Sequence, residues 1–105
     1  MGLIAVNDVT FADHVKRQGL TLVDFGAAWC PPCKTLKPIL DQLGSEQADR
    51  LAVLEVDCDE SPELASRYGV MSMPTVLLFH DGEPVEKLVG LRPKASYENL
   101  LAKYV

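Results

Sequence analysis

No apolar run in this chain is long enough to cross a membrane as a helix. Basic residues are also in short supply. Ten lysines and arginines face fifteen aspartates and glutamates, a formal charge of −5, so nucleic acid is excluded as a general partner because phosphate binding needs a basic surface. The opening Met1-Gly2-Leu3-Ile4-Ala5-Val6 lacks the basic region and cleavage site of a signal peptide. It lacks, too, the serine or threonine at position 6 that a myristoylation site requires. A cytoplasmic protein with no membrane partner is therefore expected. Histidine and cysteine are scarce. Zinc commonly takes four ligands from two close pairs, and beyond Cys30 and Cys33 only the isolated Cys58, His14 and His80 remain, so no metal is expected. No repeat, low-complexity tract or linker is present, and 105 residues suffice for one compact domain but not for two ordinary ones, so residues 1–105 should form a single domain.

What the chain does have is concentrated between Val23 and Lys34. An apolar run is followed by small residues, an aromatic, and two cysteines separated by Pro31 and Pro32. Leu36, Ile39, Leu40 and Leu43 then repeat with helical spacing. Cys30 thus falls at a strand-to-helix junction, where proline is tolerated because the first helical N–H groups have no partner in any case. The orphan amides and the macrodipole of a helix start favour negative charge, so a thiol there ionises more readily, and the thiolate is the nucleophile of disulfide exchange. Cys33 returns to the same helix face within reach of Cys30, so a mixed disulfide formed at Cys30 can be resolved by Cys33. A purely structural disulfide is the alternative. So short a loop contributes only about 2 kcal/mol through unfolded-state entropy, and a C-x-x-C beside a βαβ pattern points instead to redox work.

Along the chain, Leu3 to Val6 reads as a first strand. Thr10 with Asp13 resembles a capping box opening a helix through about Gln18, ended by Gly19. His14 lies in that helix as a surface histidine. Leu20 to Gly26 is nearly all apolar, as in a parallel strand covered on both faces, with Asp24 the interruption. The motif helix contains Pro38, which should cost a hydrogen bond and bend the axis, and the polar segment from Gly44 to Arg50 ends it or links onward. Leu51 to Asp57 is a third strand. Ser61 should cap a short helix with Pro62 first, running to Tyr68 and stopped by Gly69. Strands at Thr75 to His80 and Val85 to Val89 flank the hairpin turn Asp81-Gly82. Lys94 to Tyr104 is a final amphipathic helix. The order βαβαβαββα implies an α/β fold with a mixed sheet and helices on both faces.

Val23-Asp24-Phe25, Trp29-Cys30-Pro31-Pro32-Cys33-Lys34, Met73-Pro74-Thr75 and Val89-Gly90 together resemble the thioredoxin family nearly end to end. The resemblance implies a thioredoxin fold, a five-stranded mixed sheet flanked by four helices. It also implies a protein-disulfide reductase with no prosthetic cofactor, recycled with electrons from NADPH through a thioredoxin reductase, acting as a monomer on disulfide-bearing client proteins. Cys30 would be the exposed attacking thiol and Cys33 the buried resolving one. Pro74 would be cis and face the thiols, with Trp29, Pro31, Pro32, Met73, Pro74 and Gly90 lining the substrate groove and Met73 offering its backbone to an extended client segment. Read singly, Trp29 fits plain core, Pro74 a strand edge and Gly90 a bulge. Asp24, poorly hydrated in a covered strand, should have a raised pKa, and by analogy it is the general base that takes the Cys33 proton. The alternative is a carboxyl satisfied by backbone donors.

Four departures from the family pattern stand out. Pro31 replaces a glycine and removes one potential donor near the Cys30 sulfur. Gly26 replaces an aromatic residue, so looser packing or a different neighbour is expected beside the site. Glu55 stands where many bacterial members carry lysine, and if it faces Asp24 the two carboxyls should titrate together. Cys58 replaces an aliphatic residue and reads as a small buried hydrophobe rather than a regulatory thiol. An oxidant or isomerase on the same fold, and a binding module indifferent to its thiols, are the competing functions.

Overall fold

The wholly buried run from Leu20 to Gly26 fixes the centre of the sheet in the computed structural model, which describes residues 2–104. In chain order the elements are β1 (Leu3–Val6), α1 (Phe11–His14), β2 (Leu20–Gly26), α2 (Pro31–Glu46), β3 (Leu51–Asp57), α3 (Pro62–Arg67), β4 (Thr75–His80), β5 (Glu83–Val89) and α4 (Lys94–Leu101), with a 3₁₀ turn at Ala102–Tyr104. The strands lie in the order β1-β3-β2-β4-β5. Pairs β1·β3 and β2·β3 are parallel, while β2·β4 and β4·β5 are antiparallel. This is the expected mixed sheet of the thioredoxin fold.

Side-chain alternation along the strands splits the core in two. Leu20, Leu22, Val53, Val76 and Leu78 meet Leu36, Leu40 and Leu43 of α2 and Tyr97, Leu100 and Leu101 of α4. Val23, Phe25, Leu54, Val56, Leu77 and Phe79 meet Phe11 of α1 and Leu64 of α3 on the other face. Asp24 and Glu55 fall in the first set of alternate positions, toward α2. That assignment brings the carboxyls to the side of the sheet where the cysteines lie.

Side-chain contacts from outside the helices decide where α1 ends and what caps α3. Helix α1 stops at His14 rather than near Gln18. Thr10 does not cap it; its Oγ1 accepts from the Asn7 N–H at 3.0 Å, while the Thr10 N–H donates to Asn7 Oδ1. Val15 is already extended, and the Lys16 N–H donates to Oγ1 of buried Thr21 at 3.0 Å, so β2 takes the amide that a longer helix would use. Helix α2 runs unbroken through Pro38 and Gly44 to Glu46. Gly44 stays small because Gly2 crosses it, and a Cβ on either would collide with backbone of the other segment. Strand β5 begins at Glu83, two residues before the expected start, with Pro84 on the open sheet edge where no ladder donor is needed.

Ser61 does not cap α3 with its side chain, and its buried Oγ has no partner. Asp8, from the β1–α1 connection, does so instead, accepting from the Leu64 N–H through Oδ1 at 3.0 Å. Leu64 is the third residue of the helix, the usual reach of an N-cap oxygen. Asp8→Ala should therefore lower stability in urea denaturation by about 1 kcal/mol, with Asp8→Asn retaining most of it. An alanine variant as stable as the parent would mean that the bond contributes nothing.

Candidate active site

Strand β2 ends at Gly26, and after Ala27, Ala28 and Trp29 the chain enters α2 with Cys30 as its N-cap. A side-chain cap normally accepts from the second or third helical N–H. Here the first two helical residues are Pro31 and Pro32, which have none, so Cys33 supplies the first free amide. That amide donates to Cys30 Sγ at 3.4 Å. Cys30 and Cys33 are joined as a disulfide with their Cα atoms 5.3 Å apart.

The expected exposure of Cys30 is corrected by the structure. Cys30 is 3% exposed, less than Cys33 at 8%. In this oxidised form both pack with Ala27, and Met73 covers them. The Met73 carbonyl oxygen lies 3.8 Å from Cys30 Sγ. Exposure therefore does not distinguish the two sulfurs. What does distinguish them is polar environment, since Cys30 alone holds the cap position and receives the Cys33 amide.

Of the other residues expected to line a groove, only Met73 packs against the disulfide. Trp29 is not core; it is 64% exposed, and its indole Nε1–H donates to Asp59 Oδ2 at 2.7 Å. Asp59 was not singled out from sequence. It sits in a turn where Asp57 Oδ1 accepts from the Asp59 N–H at 2.9 Å, and the Asp-Cys-Asp pattern is the only local signal for it. The Met73–Pro74 bond is cis, Met73 is half-buried against the cysteines, and Pro74 is buried. Gly90 reaches the same loop, its N–H donating to the Pro74 carbonyl at 2.8 Å. Pro31 is exposed and Pro32 half-exposed on the first turn of α2.

Beside the disulfide a cleft of about 340 Å³ is lined by Asp24, Gly26, Ala27, Cys33, Lys37 and Glu55, among others. Asp24 is 4% exposed, and its Oδ1 has no hydrogen-bond partner, so backbone donors do not satisfy that oxygen. Burial above all, and then the Glu55 charge, raise its pKa from 3.8 to about 7, against a smaller lowering by Lys37. Glu55 is the β3 residue paired in register with Asp24, and Lys37 holds it at 3.3 Å. Lys37 was not foreseen from sequence; its signal is its place one helical turn after Cys33. A Cβ at position 26 would stand 3.1 Å from Cys33 Sγ, so Gly26 gives its space to the Cys33 side chain. Cys58 is free and buried, and burial first, then the neighbouring aspartates, push its thiol up to about 11. Among the described residues no group of three or more histidine, cysteine, aspartate or glutamate side chains is disposed to hold a metal, and no helix is long and apolar enough to cross a membrane.

A dithiol that closes at the start of a helix, with a cis-proline loop over it and a buried carboxyl beside it, is the equipment of a thiol–disulfide exchange protein. Comparison with known proteins narrows the class. The family model described as Thioredoxin matches residues 2–103. Thioredoxins of Staphylococcus saprophyticus subsp. saprophyticus and Staphylococcus aureus are 40% and 41% identical to it over 105 residues, all of both chains. A mutant thioredoxin from Halobacterium salinarum NRC-1 superposes with a TM-score of 0.89 at 40% identity, covering 97% of this chain and 89% of that one. The chain belongs to the thioredoxin family, and it is a protein-disulfide oxidoreductase.

The environment of Asp24 gives the site a pH signature. Its folded-state pKa is raised, so its contribution to stability is fully present below about pH 4 and is lost as pH rises through about 7. Asp24→Asn should leave stability unchanged in acid and raise it by about 4 kcal/mol above neutrality, the equivalent of the three-unit shift. Denaturant titrations at both ends of that window check it, and equal stability of variant and parent at alkaline pH would contradict it. Glu55→Lys should lower the Asp24 pKa in a carboxyl NMR titration; an unmoved midpoint would show that the register neighbours are not coupled.

Proposed function

We propose that this protein is a general protein-disulfide reductase, a single-domain monomer of the cytoplasm, returned to its dithiol form by a thioredoxin reductase with electrons from NADPH. The observation that carries the reading is the Cys33 amide directed at Cys30 Sγ at the start of α2. This donor and the helix terminus favour the thiolate over the thiol at position 30. The names of the full-length relatives, all thioredoxins, support the same reading.

In the proposed cycle the Cys30 thiolate attacks one sulfur of a client disulfide, and the client's other sulfur leaves as a thiolate. A mixed disulfide now joins Cys30 to the client. Asp24, in its carboxylate form, accepts the Cys33 proton across the cleft they share. The Cys33 sulfur attacks Cys30 Sγ, the second client thiolate leaves, and the Cys30–Cys33 disulfide forms. Two electrons pass to the client, and two from the reductase restore the pair. A carboxyl with a pKa of about 7 is divided between base and acid at neutral pH, which suits a group that must take and return a proton. The exposed Trp29, anchored on Asp59, and the Met73–Pro74 loop with Gly90 form the groove for an extended client segment, together with Pro31 and Pro32 on the first turn of α2.

The test is insulin reduction coupled to NADPH and a thioredoxin reductase, which should proceed with the parent and fail in Cys30→Ser. Cys33→Ser should accumulate a mixed disulfide between Cys30 and the client. A folded Cys33→Ser protein that traps no adduct, or traps one through another cysteine, would overturn the order of attack. Absence of insulin reduction by the parent would overturn the reductase assignment.

A further inference from the structure

The apolar layer on the α1/α3 face of the sheet is not fully covered. Phe11, Tyr68 and Phe79 meet there at centroid distances of 5.4 to 5.9 Å. With Val15 they line a hollow of about 340 Å³ that is also lined by Lys16, Arg17 and Arg67. A second hollow of about 420 Å³ adjoins it, sharing Arg67 and Tyr68 and continuing along Leu77, Pro84, Val85 and Lys87 of β4 and β5. Helix α3 is only six residues long, and Val85 is left 41% exposed. The two hollows make one groove, apolar at its base and open to solvent.

Cations from three separate segments converge on this groove. Lys16 and Arg17 come from the α1–β2 connection, Arg67 from the end of α3 and Lys87 from β5. Among the described residues none of them forms a salt bridge; the salt bridges present use Lys37, His80 and Lys94 instead. The carboxylates that border the groove are engaged elsewhere. Asp81 Oδ1 accepts from the Gly19 N–H at 2.7 Å, and its Oδ2 lies 3.7 Å from His80 Nε2. Glu86 Oε2 accepts from the Tyr104 hydroxyl at 2.7 Å. In a chain of formal charge −5, this unpaired basic cluster is a local exception, and its field favours an acidic occupant.

Shape selects among acidic occupants. A small-molecule site encloses most of its ligand, which an open groove does not. Two joined hollows suit an extended chain, because alternate side chains of such a segment point the same way and can fill both. We propose that this groove docks an extended acidic segment of a partner protein, its apolar side chains seated in the two hollows and its carboxylates meeting Lys16, Arg17, Arg67 and Lys87. The groove borders the connection that leads into β2, whereas the disulfide follows the far end of that seven-residue strand, which is about 20 Å long. A partner held here leaves the dithiol free, so the docking does not depend on the reductase reading.

The probe is an N-acetylated, C-amidated Glu-Phe-Glu-Phe-Glu peptide, titrated into the oxidised protein and followed by ¹⁵N NMR. The amides of Ala12, Arg17, Arg67, Gly82 and Lys87 should shift together, and binding should weaken several-fold from low to high salt. Arg67 touches both hollows, so Arg67→Glu should weaken binding about tenfold while Arg67→Lys retains most of it. Insulin reduction by Arg67→Glu should match the parent. Lys87→Glu repeats the test from β5 in case α3 is disturbed by the first variant. Absence of shifts at these amides overturns the proposal, as does undiminished binding by both charge-reversed variants. Equal binding of the Lys-Phe-Lys-Phe-Lys counterpart overturns it too, since the cations then select nothing. If phenylacetate moves both hollows as strongly as the peptide, the groove is a small-anion site and the protein-segment assignment falls.

Discussion

The first amide of α2 able to donate belongs to Cys33, because both helical residues before it are prolines, and it is directed at Cys30 Sγ. In a helix with an ordinary first turn the electrostatic pull on a cap atom is shared among several free N–H groups. Here the prolines silence two of them and rigidify the turn, so the sulfur depends on one donor and on the position of α2 as a whole. That position is set by the sheet. Strand β2 is buried along its full length, pairs on both sides, and delivers the chain to the helix start at a fixed height. Leu36, Leu40 and Leu43 then seat α2 on the same face. The chemistry of one sulfur is thus held in place by most of the apolar core.

Asp24 works against that core. A carboxyl nearly sealed from water in the central strand costs about 4 kcal/mol when ionised, judged from its raised pKa. Native domains are stable by only about 5–15 kcal/mol, so this is a large concession for one side chain. Two-sided burial of the sheet absorbs it, with Phe11, Phe25, Tyr68 and Phe79 packed tilted or edge-to-face at centroid distances between 5.4 and 6.1 Å on the far face. The stability lost at Asp24 and the proton affinity gained there have the same origin, the missing water. A polar substitute would restore the one by removing the other.

Much of this was legible in the residues themselves. The two cysteines with their prolines, the apolar run broken by Asp24, and the Asp81-Gly82 turn are local signals, and each lies where its pattern implied. The cis bond at Pro74 followed from the resemblance and is present. The failures share a physical cause. Helix α1 is cut short by Thr21 of the next strand, α3 is capped by Asp8 from 56 residues away, and Trp29 is anchored by Asp59, 30 residues on, so each depends on an element other than its own. The burial of Cys30 belongs to the same group, because it comes from Ala27 and Met73 closing over the oxidised pair.

The charges around Asp24 are arranged so that the solvent side and the interior act independently. Glu55 and Lys37 are partly exposed and paired, so their opposite effects on Asp24 partly cancel, and salt weakens what is left. Desolvation is left as the dominant influence, in agreement with its rank among the causes of the shift. Lys37 and Cys33 are one turn apart on α2, so the cation travels with the thiol rather than with the strand that carries Asp24. Glu55 travels with β3, and the ion pair therefore bridges α2 and the strand that lies beside the one carrying Asp24. A substitution at Glu55 or Lys37 changes both the field at Asp24 and that bridge, whereas one at a buried neighbour changes the desolvation alone.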